Sequence, residues 1–295
     1  MTTDILPLAI IKIGLDPVLF HLGPIAVHWY GLMYVVGLAA GMYVLLPYAE
    51  ELGFSRDTSW EVFWPVLIGS LVGGRLYYVV QSDLGHYLRH PQDIVATWEG
   101  GMAFYGAVFG GLLAAFITCR LKGLLFPLVL DAATVLIPLA QTFGRFGNIV
   151  NGDILGYPSN LPWATQYTNP NNTFVPSHQI AYQPAAAYEL LFSLGLFVLV
   201  YALRRRFSVP GTLFVLWAVV YSVGQFLLFF ARDNSVVLLG LKQAQLTAIV
   251  VVLLAVPAYL YWRRIFLERE GHREAEEGSL KPAGAMSSET GSATG

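Results

Sequence analysis

The polar residues best suited to chemistry lie in one stretch, residues 144–156, which reads GRFGNIVNGDILG. The stretch follows an apolar run over residues 132–143 that can lie in a membrane. Ionisable groups at membrane depth are costly, so they indicate a functional site. On a helix, Arg145 and Asn148 stand three residues apart and share one face. The glycines would let the polar head of a ligand approach the backbone. The alternative interpretation is a polar helix end that packs through small residues.

The composition indicates a membrane protein. The 295 residues are 56% hydrophobic and 12% charged, whereas soluble domains are about 25% charged. A net charge of −2 without a basic patch argues against nucleic acid as a partner. The single cysteine, Cys119, excludes an internal disulfide and a cysteine-based metal cluster. The N-terminus lacks a basic start and a small-residue cleavage site, so no removable signal peptide is expected.

Seven apolar runs predict the elements that must position these residues: an all-α polytopic membrane protein with seven transmembrane helices. Four spans are predicted within residues 25–150, at 25–46, 61–80, 101–119 and 124–150, and three within residues 185–262, at 185–203, 211–230 and 243–262. Residues 1–24 are predicted to be an interfacial segment. Residues 151–184 have no lysine or arginine and are predicted to form a small extracytoplasmic cap. Residues 263–295 are predicted to be a cytoplasmic, largely disordered tail.

The 17 basic residues favour one orientation. With the N-terminus outside, eleven fall in cytoplasmic segments: Arg56, Arg120, Lys122, Arg204, Arg205, Arg206, Arg263, Arg264, Arg269, Arg273 and Lys281. Four fall in outer segments, namely Lys12, Arg89, Arg232 and Lys242, and Arg75 and Arg145 lie within spans. Because cytoplasmic loops carry the excess of positive charge, we predict the N-terminus outside and the C-terminus inside.

This topology brings scattered polar residues to the outer leaflet, namely Tyr30, Arg75, Tyr105, Arg145, Asn148, Glu189 and Arg232. Arginines that face a cavity suit a phosphate, which a guanidinium can grip with two hydrogen bonds. In a membrane, the obvious carrier of a phosphate is a phospholipid. We find no carboxylate, His or Cys set with metal-ligand spacing, no phosphate-binding Walker loop and no Gly-x-Ser-x-Gly motif, so neither a metal nor a cofactor is expected. His86 and His90 are interpreted as interfacial or loop residues.

Five motifs, in order, resemble those of the prolipoprotein diacylglyceryl transferases, a family of bacterial enzymes that begin lipoprotein maturation. The most specific is the stretch at residues 144–156. The others are HWYGLMY at 28–34, GGRLYY at 73–78, WEGGMA at 98–103, and Tyr188-Glu189 together with the late Arg232. The resemblance extends over roughly residues 15–262.

The resemblance implies a reaction in the bacterial plasma (inner) membrane, with the active site facing the outer leaflet. Phosphatidylglycerol would give its diacylglyceryl group to the lipobox cysteine thiol of a preprolipoprotein, which forms a thioether and releases glycerol phosphate. The partners would be phosphatidylglycerol and lipobox peptides, and no cofactor is implied. Arg145 and Arg232 would bind the lipid head group and stabilise the charge that develops on the phosphate.

The resemblance also implies roles for the remaining site residues. Asn148 and Asn151 would supply hydrogen bonds, Asp153 would orient an arginine or the acceptor, and Gly156 would be a position where the backbone must fit closely. Tyr30 would bind the head group or shape the entrance, or else belong to the interfacial aromatic belt. Arg75 would contact the substrate, or else be a structural charge paired with Glu99 or Glu189. Glu189 is interpreted as structural, because a carboxylate would repel a phosphate.

Several positions depart from the family pattern. Tyr105 stands where many members carry a histidine, which is a natural base for the thiol proton. Since tyrosine has a reference pKa near 10, either Tyr105 is a tuned tyrosinate or hydrogen-bond donor, or the base is not essential; we favour the second. Asp153 replaces a glutamate. Gln183, Gln225 and Phe229 replace a histidine, an arginine and a glutamate.

These departures leave a second function open, that of a non-catalytic or divergent phospholipid-binding membrane paralogue. An ion-coupled transporter fits less well, because we find neither inverted repeats nor broken midplane helices. A diacylglyceryl adduct on a co-expressed lipoprotein precursor would separate the enzyme from the paralogue.

Overall fold

Long apolar helices account for most of the chain in a computed structural model that describes residues 10–23, 25–96 and 100–280. The helices in these ranges are α1 (Trp29–Glu51), α2 (Arg56–Ser82), α3 (Leu84–Arg89), α4 (Phe104–Lys122), α5 (Phe126–Thr134), α6 (Leu136–Asn151), α7 (Ala185–Leu203), α8 (Thr212–Leu228) and α9 (Gln243–Leu280). The short strands are β1 (Ile11–Ile13), β2 (Val18–Leu22), β3 (Ile25–His28), β4 (Thr165–Tyr167), β5 (Val236–Leu238) and β6 (Leu241–Lys242). The predicted all-α class is confirmed, since the strands form only two-stranded pairs.

Within the ranges that the structure describes, six helical segments are long and apolar enough to cross a membrane. They are α1, α2, α4, the run Phe126–Asn151 that joins α5 to α6, α7, and the part of α9 over Gln243–His272. The remaining predicted span, at 211–230, corresponds to α8, which is apolar but has only 17 residues. The chain is therefore a polytopic membrane protein.

The predicted start of the first span is wrong. Residues 25–28 form β3, which pairs with β2 in a hairpin that turns at Gly23, where φ is +59°. Alternating β-branched residues in this stretch favour a strand over a helix. The helix α1 then begins at Trp29 and continues through Pro47 to Glu51, beyond the predicted end at residue 46.

The predicted start of the second span is also displaced. Helix α2 begins at Arg56 rather than residue 61, because Ser55 acts as its N-cap and its Oγ accepts the backbone N–H of Thr58 at 3.0 Å. A polar cap extends a helix beyond its apolar part. The start of the third predicted span at residue 101 moves to Phe104.

The C-terminal tail differs from the prediction over residues 263–280. Helix α9 continues to Leu280 instead of ending in disorder, and residues 281–295 lie outside the described ranges. Its sequence here is rich in Glu and Arg, which favour helix. An ion pair between Arg264 and Glu268, 2.8 Å apart and one turn along the helix, adds support of the usual i,i+4 kind.

The N-terminal segment and the residue 151–184 region are joined by strand pairing. β1 pairs in parallel with β4, with Ile11 opposite Thr165. The side-chain amide of Asn171 donates to Asp16 at 2.6 Å. The predicted interfacial segment is therefore extended chain in the described residues 10–23, and it packs on the predicted cap.

Glycines let two pairs of helices approach closely. α2 packs along α4, where Gly69 and Gly73 face Gly106 and Gly110. A Cβ added to Gly73 would lie only 2.8 Å from the Cα of Gly110. α1 packs along α6 in the same way, since a Cβ on Gly37 would lie 2.9 Å from the backbone oxygen of Ala140. These seams hold the helix ends that carry the polar residues described next.

Candidate active site

A buried carboxylate lies between two arginines from different parts of the chain. Glu189, in the first turns of α7, has a side chain that is 1% exposed. Its Oε2 lies 2.8 Å from Nη2 of Arg145, at the C-terminal end of α6. Its Oε1 accepts from Nη1 of Arg232, just after α8, at 3.0 Å. One carboxylate therefore holds two guanidinium groups and leaves the three residues with a formal charge of +1.

A polar chain extends this cluster along α6 and past its end. Nη1 of Arg145 donates to Oδ1 of Asn148 at 3.3 Å. Nδ2 of Asn148 donates to the two carboxylate oxygens of Asp153 at 3.0 and 3.1 Å. The chain can turn back in this way because α6 ends at Gly152, whose φ of +74° is easily reached only by glycine. The predicted residues Arg145, Asn148 and Asp153 thus form one hydrogen-bonded unit.

Gly156 brings the residue 151–184 region against the segment that carries Arg232. Gly156 and Arg232 form an antiparallel bridge, and the N–H of Gly156 donates to the backbone oxygen of Gln183 at 3.0 Å. A Cβ at residue 156 would lie 2.5 Å from the oxygen of Ala231 and 2.6 Å from the Cβ of Gln183. Any larger side chain would push these backbones apart, which agrees with the predicted close fit at this glycine.

Arg232 faces a cleft that opens beside this bridge. The cleft is lined by Asp153, Leu155, Gly156, Phe174, Pro176, Tyr182, Arg232, Asp233 and Asn234. Nε of Arg232 is buried and has no acceptor among the described residues. Burial lowers the pKa of Arg232, and the charge of Glu189 opposes that shift. A buried donor without a partner is costly, so a ligand that accepted a hydrogen bond from this Nε would stabilise the site.

Lys242 is a site neighbour that the sequence reasoning missed, because it was counted only as an outer-face charge. The residue is 5% exposed and its ammonium group donates to the hydroxyl of Tyr157 at 3.1 Å and to the backbone oxygen of Phe229 at 2.7 Å. It also donates to the backbone oxygen of Arg232. Lys242 therefore fixes the turn that carries Arg232. The position of this lysine directly before an apolar span was the feature of the sequence that could have indicated a role near the site.

The predicted tyrosines occupy different surroundings. Tyr30 lies next to the cluster, since a Cβ added to Gly147, beside Asn148, would be 2.9 Å from the Cα of Tyr30. The hydroxyl of Tyr30 donates to that of Tyr34 at 3.1 Å. Tyr105 instead shares a hydrogen bond of 2.8 Å with the hydroxyl of Thr247 and thereby joins α4 to α9. Among the described residues, no arginine is bonded to Tyr105.

Arg75 is occupied elsewhere. It is buried, and all five N–H groups of its guanidinium have backbone carbonyl partners. The acceptors are the oxygens of Asp93, Ile94, Ala96, Gly100 and Gly101, at 2.5 to 3.3 Å. No carboxylate pairs with Arg75 in the described part of the chain, Glu189 pairs with other arginines, and Glu99 lies outside that part. Arg75 thus holds the loop before α4.

The other predicted positions contribute backbone or ring contacts. The carbonyl of Asn151 accepts from the side-chain amide of Asn172 at 3.3 Å, which ties the end of α6 to the residue 151–184 region. The guanidinium carbon of Arg232 lies 4.5 Å from the ring centre of Phe229. Phe229, which departs from the family pattern, thus offers an aromatic face to that arginine.

Comparison with known proteins gives the same assignment along the whole described bundle. The profile of the family named prolipoprotein diacylglyceryl transferase matches residues 17–261. A protein of Bordetella avium named phosphatidylglycerol--prolipoprotein diacylglyceryl transferase is 37% identical over 224 residues, which cover 74% of this chain and 82% of that protein. Proteins with the same name from Bordetella bronchiseptica and Bacillus licheniformis are 35% and 32% identical, and cover 85% and 89% of this chain and 96% and 97% of their own. The chain therefore belongs to the prolipoprotein diacylglyceryl transferase family.

Proposed function

We propose that this protein transfers the diacylglyceryl group of phosphatidylglycerol to the lipobox cysteine thiol of preprolipoproteins. The observation that carries the proposal is the pair formed by Arg145 and Arg232 around Glu189, with Arg232 lining the cleft and its buried Nε without a partner among the described residues. This arrangement offers positive charge and hydrogen-bond donors to a phosphate. Membership of the family supports the identity of both substrates.

The chemistry requires a thiolate and a stabilised leaving group. The sulfur of the acceptor cysteine would attack the glyceryl carbon that bears the phosphate, since the thiolate is the reactive form. A carbon–sulfur bond forms, the carbon–oxygen bond to the phosphate breaks, and glycerol phosphate leaves with the electron pair. The acceptor thiol belongs to the substrate peptide, because Cys119 is buried near the far end of α4 from Tyr105.

The arginines would act on the leaving phosphate. As negative charge grows on it, Arg145 and Arg232 can each strengthen a charge-assisted hydrogen bond. Glu189 keeps both guanidinium groups aimed at one place while the phosphate is absent. Asn148 and Asp153 would hold Arg145 in that orientation.

The remaining proposed roles concern the substrate's approach. Gly156 would keep the cleft beside Arg232 open, and Asn151 would help to place the start of the cap. Tyr30 would border the lipid head group next to Gly147. Tyr105 and Arg75 would act on the architecture of the α2, α4 and α9 region, because their polar groups are already engaged there.

The proposed topology has seven transmembrane helices, including α8, in the bacterial plasma (inner) membrane. The N-terminus would be outside, the C-terminus inside, and the active site would face the outer leaflet. The proposed division retains an N-terminal segment at 1–24, helices within 25–150 and 185–262, an extracytoplasmic cap at 151–184 and a cytoplasmic tail from residue 263. Two observations support it: the distribution of basic residues, and the meeting of the ends of α6, α7 and α8 at one cluster.

Mass spectrometry of a co-expressed lipoprotein precursor tests the function. In cells that lack another such transferase, we expect the mass of a diacylglyceryl group on the lipobox cysteine. A precursor with serine in place of that cysteine is the matched control and should stay unmodified. An unmodified cysteine with well-folded protein in the membrane would contradict the proposal.

A second function, phospholipid binding without transfer, is favoured by one observation. Tyr105 replaces the family histidine, and its hydroxyl is bound to Thr247 rather than to the arginine cluster. The two functions differ in the adduct measurement. Phosphatidylglycerol that binds the protein and requires Arg145, but never appears on the precursor, would identify the binding protein.

A further inference from the structure

Two histidines and an aspartate come together outside the arginine cluster. His86 and His90 lie on and just after α3, and Asp93 lies in the 3-10 turn Pro91–Ile94. One potential ligand atom from each lies within 4.8 Å of the other two. The side chains of His86 and Asp93 are 46% and 36% exposed, so an ion from solvent can reach them.

The histidine spacing places both imidazoles on one side of the turn. Residues four apart on a helix are neighbours, and the two rings stack with centres 4.7 Å apart. Nδ1 of His90 lies 3.2 Å from the backbone oxygen of His86. Because a carbonyl only accepts, this contact requires the hydrogen on Nδ1, and in the neutral ring Nε2 then has a lone pair for a metal ion. A ring fixed by a bond from its other nitrogen is the usual state of a metal-binding histidine.

The side chain of Arg75 holds the backbone that carries Asp93 in place. Nη2 of Arg75 donates to the oxygen of Asp93 at 2.5 Å, and Nε donates to the oxygen of Ile94 at 2.8 Å. At the other side of the cluster, Oδ1 of Asp83 accepts the N–H of His86 at 3.0 Å and starts α3. The three side chains are therefore presented by a supported loop, which is what a metal site of useful affinity needs.

We propose that His86, His90 and Asp93 bind a divalent transition metal ion of the zinc class. Imidazole and carboxylate are common zinc ligands, and three protein ligands leave a fourth position for water. Metal bonds of 2.0–2.1 Å in tetrahedral geometry separate neighbouring ligand atoms by about 3.3 Å. The present contact of 2.9 Å between Nε2 of His86 and Oδ2 of Asp93 would need to open by a few tenths of an ångström, and wider separations in the cluster, which stay within 4.8 Å, would need to close toward the same value.

The bound ion would fasten α3 to the 3-10 turn. Through Arg75, the same turn is tied to the carbonyls of Gly100 and Gly101, just before α4. The site would thus stabilise the loop between α2 and α4. The proposal differs from the expectation of no metal, and the spacing His-x3-His-x2-Asp that it rests on is present in the sequence.

The test uses the full-length protein in detergent, without a polyhistidine tag, after removal of metal by a chelator. Titration with Zn²⁺ should show one equivalent bound, and Co²⁺ should give the visible absorption of a low-coordinate nitrogen and oxygen site. Zn²⁺ should also raise Tm, because a ligand that binds only the folded state stabilises it. His90→Ala should weaken binding by more than the roughly 10- to 100-fold that loss of an outer partner costs.

His21→Ala is the matched control, since His21 is an exposed histidine on β2 away from α3. It should leave the stoichiometry and the affinity unchanged. His90→Ala should keep the metal-free Tm of the wild type, because the His86 to Asp93 contact does not involve it. Absence of stoichiometric binding in the wild type, or equal binding by a His86→Ala, His90→Ala double variant, would overturn the proposal.

Discussion

Glu189 is buried and Arg145 and Arg232 are largely buried, and each of these charges would be costly without a partner of opposite sign. Burying a charge without a partner destabilises a protein strongly, whereas a paired and hydrogen-bonded charge is tolerated. Glu189 alone cannot neutralise both Arg145 and Arg232, and of these two arginines it is Arg232 that lines the cleft, together with Asp153 and Asp233. The structural role expected of Glu189 and the phosphate-binding role expected of the arginines therefore depend on each other, because Glu189 positions both guanidinium groups.

We expect Arg145→Ala to abolish diacylglyceryl transfer while the protein still inserts and folds. Losing a donor that stabilises a developing negative charge costs on the order of 10²- to 10³-fold in rate. The transfer rate of Arg145→Lys should lie between those of the wild type and Arg145→Ala, because lysine keeps the charge but not the planar guanidinium group. Transfer of labelled lipid to a lipobox peptide measures the effect.

Arg205→Ala is the matched control for this prediction. Arg205 forms an exposed ion pair with Glu51 just beyond the end of α7 that is opposite Glu189, and exposed pairs contribute little. Its activity should equal that of the wild type. Full activity in Arg145→Ala would remove this residue from the proposed site.

We expect Tyr105→Phe to keep a near-normal rate. The hydroxyl is bonded to Thr247 on α9, so its loss should affect packing of α4 on α9 more than chemistry. Thr247→Val removes the same hydrogen bond from the other side and should behave alike. If Tyr105 were the base, only the Phe variant would lose activity.

Helix ends that satisfy one another link the elements of the bundle. Asp131, in α5, accepts the N–H of Gly211 at 2.6 Å and that of Phe214 at 2.8 Å, and thereby caps the start of α8. The other end of α8 carries Arg232. The correct placement of that arginine therefore depends on a carboxylate near the opposite end of the helix.

We expect Asp131→Ala to destabilise the protein by about 1–3 kcal/mol, the usual cost of leaving a buried donor unpaired. Asp131→Asn keeps one acceptor and should lose less. Thermal unfolding in detergent measures the difference, with Asp57→Ala, an exposed acidic residue of α2, as control. An unchanged Tm in Asp131→Ala would show that α8 does not need this cap.

We expect acid to weaken the contact between the N-terminal segment and the residue 151–184 region. The backbone N–H of Val18 and the amide of Asn171 lower the pKa of Asp16. Because the pKa of Asp16 is lowered in the folded state, ionised Asp16 stabilises the fold at pH values above the ordinary pKa of an aspartate. This stabilisation is lost as the pH falls below about 4. Asp16→Asn should lower Tm at pH 7, and the gap to the wild type should shrink below that pH. A gap that is independent of pH would contradict this.

At the scale of the whole molecule, orientation decides which membrane face carries the cluster. In a full-length Cys119→Ser background, we expect Leu88→Cys to react with a membrane-impermeant thiol reagent in intact cells. Leu121→Cys should react only after permeabilisation. The two leucines are similarly accessible, at 71% and 82% exposed, so the contrast would report side rather than burial. The reverse pattern would refute the proposed topology.

The sequence by itself determined the membrane class, the approximate positions of the spans and the signature stretch at residues 144–156. Span prediction succeeds because the need to cover a bilayer with apolar residues is local and can be counted. Arg145, Asn148 and Asp153 could be linked beforehand, because they lie within one helix and the turn after it. Helix ends were less accurate, since caps such as Ser55 and pairs such as Arg264 with Glu268 act outside the apolar run.

Only the tertiary structure decided which partner each buried charge has. Glu189 and Arg232 are 43 residues apart, Lys242 binds the carbonyl of Arg232, and Arg75 binds carbonyls instead of a carboxylate. The sequence shows that a buried charge needs a partner, but it offers several candidate partners for each charge and does not distinguish among them. The choice among them depends on where helices cross and end in space, which glycine seams and caps far away along the chain determine.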